Sequence, residues 1–136
     1  MFVVMEYGAG GNLENFVLHQ RRLDEDDAKQ LFHQLVAGVS YLHSRSILHG
    51  DVKLANAVLD ASCQGVKLID FGSSKKVQGL QTSRCGECRS PIVQRKISTP
   101  IYHAPEIVNV TRCRKGYSLP VDIWSLGISL HMMLGR

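Results

Sequence analysis

The sequence predicts an α+β fold, mainly helical, with short β-strands. Three observations predict it. Apolar residues recur at intervals of three and four between Ala28 and Leu42, the period of one helix face. A second apolar stretch, Val121 to Leu134, is introduced by Pro120. Two short aliphatic runs, Ala57-Val58-Leu59 and Val66-Lys67-Leu68-Ile69, flank Cys63-Gln64-Gly65, the pattern of strands joined by a turn. At 136 residues the chain forms at most one domain.

Taken in order, Met1-Phe2-Val3-Val4-Met5 reads as a buried strand and Gly8-Ala9-Gly10-Gly11 as a flexible connector. Leu13–Leu18 suits a short helix. Asp24 can cap the next helix, with Glu25, Asp26 and Asp27 placed where the positive end of the helix dipole favours carboxylates. Ala28, Leu31, Phe32, Leu35, Val36, Val39 and Leu42 then form one buried stripe. Ile47-Leu48 leads into a polar loop around Asp51. A long polar segment runs from Ser73 to Pro100, and Pro120 opens the last helix at the first-turn position that tolerates its missing N–H.

Composition narrows the function. The apolar fraction of 44% and charged fraction of 21% suit a packed domain and not a disordered one. No apolar run reaches membrane-spanning length, and no basic flank precedes the short apolar start. The expectation is a cytoplasmic or nuclear protein without membrane contact. Of four cysteines, Cys85 and Cys88 form one C-x-x-C pair, while Cys63 and Cys113 stand apart. With no second pair and His103 alone, free thiols or a redox pair fit better than zinc. Residues 71–115 carry nine Lys or Arg against Glu87 and Glu106, a local charge of +7 in a chain of net +4. Such a field suits anionic or phosphorylated partners or a solvated loop. Without interleaved aromatic residues it does not suit nucleic acid.

The chemistry concentrates in His49-Gly50-Asp51-Val52-Lys53-Leu54-Ala55-Asn56, followed by Asp70-Phe71-Gly72, Ala104-Pro105-Glu106 and Asp122-Ile123-Trp124. An Asp with an Asn five residues on can place a carboxylate at a substrate hydroxyl and an amide at a metal ion. A second Asp on a tight turn can hold the same metal. Phosphoryl transfer needs this kind of positioning and charge neutralisation more than covalent help. Each triplet alone is weak evidence; the ordered set is strong.

In these motifs the chain resembles the catalytic domain of eukaryotic-type protein kinases of the Ser/Thr type, with a weaker likeness to the calmodulin-dependent and plant stress-kinase group. The resemblance implies a kinase-like fold. Residues 1–8 would be the last small-lobe strand and hinge, and 9–136 a large-lobe portion. It implies ATP and Mg²⁺ as cofactors and a protein substrate with a Ser or Thr acceptor; oligomeric state is left open. Asp51, Lys53 and Asn56 would be catalytic, with Asn56 and Asp70 as metal ligands. Met5, Glu6, Gly8, Asn12, Val58 and Asp70 would surround the nucleotide, Met5 as gatekeeper and Val58 as the apolar floor. His49, Phe71, Gly72, Thr99, Glu106 and Asp122 would be structural or regulatory, with Asp122 anchoring the backbone near His49 and Glu106 awaiting an Arg further on.

Departures qualify the likeness. No glycine-rich phosphate loop or strand Lys precedes Met1, so the isolated chain is expected to be inactive. Gly50 replaces the usual Arg before the catalytic Asp, and Asn12 and Ala55 stand where Arg-seeking relatives carry acids. Alternative readings are a non-catalytic, pseudokinase-like interaction module and a generic helical domain with coincidental motifs.

Overall fold

Helical periodicity and two short antiparallel strand pairings account for the architecture in a computed structural model, which describes residues 2, 4–77, 100–108 and 119–135. The order is α1 (Leu13–Gln20), α2 (Glu25–Ser44), β1 (Ile47–Leu48), β2 (Ala57–Leu59), β3 (Val66–Leu68), β4 (Lys75–Lys76), α3 (Pro105–Val108) and α4 (Pro120–Met133). Single 3₁₀ turns lie at Leu54–Asn56, Phe71–Ser73 and Pro100–Tyr102. The fold is α+β, helical in the main, with short antiparallel strands.

The first two helices start on side-chain caps. Asn12 Oδ1 accepts the Asn15 N–H at 2.8 Å, and Asp24 Oδ1 accepts the Asp27 N–H at 2.9 Å. Each satisfies one of the donors that a helix start leaves unpaired. Helix α2 buries Ala28, Leu31, Leu35, Val39 and Leu42 along one stripe and packs against β3 and α4. Leu13, Val17, Leu54, Ala57, Leu59, Leu126 and Met133 close the core. A smaller cluster joins Leu48, Ala104 and Val121.

Strands β2 and β3 pair antiparallel with Ala57 opposite Leu68, Val58 opposite Lys67 and Leu59 opposite Val66. The Asp60 carboxylate organises the turn between them. Its Oδ1 accepts from the Ser62 hydroxyl and from the Ser62 and Gln64 N–H groups. The Ser62 hydroxyl chiefly, with the backbone donors of the turn, holds the Asp60 carboxyl below its usual range. Gln34 of α2 clamps the same hairpin, donating to Gln64 O and accepting from Val66 N.

Four expectations are corrected. Residues 2, 4 and 5 form no strand, and Phe2, Val4 and Met5 are 80% exposed or more. Among the described residues no strand edge receives their backbone, and an extended apolar run without a partner stays in solvent. Val36 lies at the margin of the α2 stripe and is exposed. The glycine connector is a pinned turn. Gly10 N–H donates to Leu59 O at 3.0 Å, and Gly11, at φ +74°, accepts from Leu59 N. Finally, the polar segment after Ser73 begins with strand β4, whose Lys75 and Lys76 pair with Leu48 and Ile47. Residues 78–99, with Cys85, Cys88 and Thr99, lie outside the described residues, as does Cys113. Among the described residues no helix is long and apolar enough to cross a membrane, and no His, Cys, Asp and Glu cluster of metal-binding size occurs.

Candidate active site

The loop from His49 to Asn56 is fixed first by its backbone. Asp122, in the first turn of α4 and 1% exposed, accepts from His49 N at Oδ2 and Gly50 N at Oδ1, both at 2.9 Å. Its Oδ2 also meets His43 Nε2 of α2 at 2.8 Å. A buried carboxylate with three donors is stably held, and it fixes the loop it bonds. Gly50 takes φ +78° there, and a Cβ on it would stand 3.1 Å from Ser73 O. A left-handed backbone and a close carbonyl together explain glycine at this position.

His49 is fully buried and carries the order onward. The Asp51 N–H donates to its Nδ1 at 3.3 Å, which makes Nε2 the protonated nitrogen, 3.2 Å from Ile69 O. Its ring stands 5.1 Å from the Phe71 ring, tilted by 55°. One imidazole thus ties the Asp51 loop to the backbone entering Asp70-Phe71-Gly72.

Asp51 sits at the centre. Its Oδ2 accepts from Lys53 Nζ at 2.8 Å and from Asn56 Nδ2 at 2.9 Å. Asn56 Nδ2 also donates to the Asp51 backbone carbonyl at 2.9 Å. The 3₁₀ turn Leu54–Asn56 makes this possible, by folding a residue five positions on back over the loop. Both amide hydrogens of Asn56 are therefore spent on Asp51, which turns its Oδ1 away as an oxygen donor. The Ile69 N–H donates to Asn56 O at 2.9 Å, bringing Asp70 beside Asn56. Asp70 is exposed, in the left-handed region at φ +61°, and its Oδ1 accepts from Gly72 N at 3.2 Å. An amide oxygen and an exposed carboxylate on adjoining backbone are the hard oxygen donors that suit Mg²⁺, which keeps several water or phosphate ligands of its own.

The residues expected around a nucleotide divide into two groups. Gly8, Asn12 and Val58 come together: Asn12 bridges Val58 across the edge of β2, and a Cβ on Gly8 would stand 2.9 Å from Val58 Cβ. Asn12 spends its side chain on the α1 cap. Met5 is exposed and Glu6 pairs with Lys67 at 2.5 Å. Glu106, in α3, makes no ion pair among the described residues. It lines an apolar groove with Pro120, Ile123 and Trp124.

Sequence reasoning did not single out His43. His43 follows the α2 stripe by one turn from Val39, a signal that a polar side chain there faces inward. Tyr102 is 4% exposed, and Ser125 Oγ donates to its carbonyl at 2.9 Å. Burial pushes the Tyr102 phenol above its ordinary range, against a smaller opposing pull from the Leu54 backbone.

Comparison with known proteins identifies the family. The protein kinase domain family matches residues 1–136. The chain is 42% identical over 134 residues to the serine/threonine-protein kinase SAPK3 of Oryza sativa subsp. indica, covering 97% of this chain and 36% of that protein. It is 37% identical over 137 residues to the SNF1-related protein kinase catalytic subunit alpha KIN12 of Arabidopsis thaliana, covering 98% of this chain and 24% of that protein. It is 36% identical over 140 residues to CBL-interacting protein kinase 11 of Oryza sativa subsp. japonica, with 98% and 24% coverage. The chain thus spans roughly a quarter to a third of the length of these curated relatives. With its residues 1–136 matched to the protein kinase domain and relatives 36–42% identical over nearly its whole length, the chain belongs to the protein kinase family.

Proposed function

We propose that this chain carries the phosphate-transfer part of an ATP-dependent protein serine/threonine kinase. Residues 1–8 carry the end of the small lobe and the hinge, and 9–136 belong to the large lobe. Asp51 receives the substrate hydroxyl proton, Lys53 meets the transferred phosphate, and Asn56 and Asp70 hold Mg²⁺. The metal, when bound, neutralises phosphate charge. The observation that carries the reading is the Asp51 carboxylate itself. Lys53 and Asn56 both bond Oδ2, and no hydrogen bond engages Oδ1 among the described residues. One oxygen is used to fix the group and the other is left to orient a hydroxyl and take its proton.

The backbone around Glu6 and Gly8 pairs with the adenine edge and Val58 lies under the base. The described glycine turn supports this, because it brings Gly8 against Val58. The 136 residues include no glycine-rich phosphate loop, so these residues alone, as a purified polypeptide, transfer phosphate extremely slowly.

The test uses the full-length protein with Mg-ATP and peptides that differ only in a Ser, Thr or Tyr acceptor. Phosphate should enter the Ser and Thr peptides, and Asp70→Ala should lower turnover by orders of magnitude. Unchanged turnover in that variant would show the metal site to be misplaced. ATP binding without any turnover would favour a non-catalytic interaction module.

A further inference from the structure

We infer that the Lys67–Glu6 ion pair is the tether that sets the hinge segment over the base-binding face, making Lys67 a positioning residue for the nucleotide. The inference rests on the kinase reading above. Residues 4–8 have no regular structure, and the side chains of Val4, Met5 and Tyr7 are largely in solvent. Among the described residues, the contact between Glu6 Oε1 and Lys67 Nζ, at 2.5 Å, is the side-chain hydrogen bond that joins this segment to the fold.

Its position in the register gives it a consequence. Lys67 is the cross-strand partner of Val58, and paired residues of an antiparallel hairpin project from the same face. The Lys67 stem therefore flanks Val58 on the face that Gly8 approaches. The strand alternation fits, because Lys67 is exposed while Val66 and Leu68 pack inward on α2 and the core. The Glu6–Lys67 pair thus flanks Val58 on one side, and its attraction holds the hinge backbone beside the Val58 face. Because both groups are largely exposed, the pair is screened by salt and its effect is modest.

The experiment uses the full-length protein and measures ATP dissociation constants at low and at high salt, with peptide KM and melting temperature alongside. Glu6→Lys and Lys67→Glu should each weaken ATP about threefold to fivefold at low salt, consistent with an exposed pair. Peptide KM and melting temperature should stay constant. The charge-swapped double variant should return ATP affinity to within about twofold of wild type, and high salt should erase the differences. Single variants indistinguishable from wild type, or a double variant as weak as the sum of the singles, would overturn the inference. A wild-type protein with no ATP affinity would instead overturn the kinase reading and the tether with it.

Discussion

The loop from His49 to Asp70 and the segment from Val4 to Gly8 both bear on the same proposed site, yet they are built in opposite ways. The loop is fixed from inside. Asp122 collects three donors, His49 bonds through both ring nitrogens, and Asn56 gives both amide hydrogens to Asp51. The segment is held from outside, by an exposed ion pair and the close approach of Gly8 to Val58. Groups that must meet a reacting atom to within a few tenths of an ångström need buried, fully bonded support. A surface that only has to accept the flat edge of a base tolerates a looser one. The energetic consequence is a large penalty for touching the first region and a small one for touching the second.

The largest effect expected is at Asp122. Asp122→Ala strands the His43, His49 and Gly50 donors in the interior. It should cost about 3–5 kcal/mol of stability and lower turnover sharply. Asp122→Asn, which keeps one acceptor oxygen, should cost less. Thermal melting of the two variants beside kcat checks this, and equal, small effects would show that the loop is held by something else. Gly50→Ala comes next. The left-handed backbone and the Ser73 carbonyl together should cost about 1–3 kcal/mol, read as a lower denaturant midpoint.

Tyr102 gives a pH signature of the tightly held region. Burial raises its phenol above the ordinary value of 10.0, so the folded state favours the neutral form. Its contribution is complete below pH 10 and is lost as the pH rises from there through the raised value, because the unfolded chain ionises first. Tyr102→Phe should therefore flatten the decline in stability above pH 10 while leaving neutral-pH stability nearly unchanged; an identical alkaline slope in both proteins would contradict it. The smallest expected effect is the few-fold, salt-sensitive change in ATP affinity at the Lys67–Glu6 pair.

How much of this was legible in the sequence followed the same division. Helix α2 was readable from the Asp24 cap and the Leu31, Leu35 and Val39 spacing, because cap and stripe are local signals. The β2–β3 hairpin was readable for the same reason. Strand β4 was not: Lys75 and Lys76 look like surface charge and become a strand only because β1 lies alongside. The apolar run at Phe2–Met5 erred in the other direction, since apolar content signals a strand only where an edge exists to receive it. Within the site, the spacing of Asp51 and Asn56 was informative, whereas the role of His43 depends on α4 returning to α2 across 79 positions. No window of sequence records such a contact. Thr99 falls outside the described residues.

The central claim is that the Asp51 carboxylate is the proton-accepting group of a phosphate-transfer site already ordered around it. Its most direct test is turnover of the full-length protein carrying Asp51→Asn, measured with ATP affinity and melting temperature on the same preparation. The substitution keeps the shape and can still accept from Lys53 but removes the base. The expected result is a fall in kcat by orders of magnitude, with ATP affinity and melting temperature close to wild type. Wild-type kcat in that variant would contradict the account.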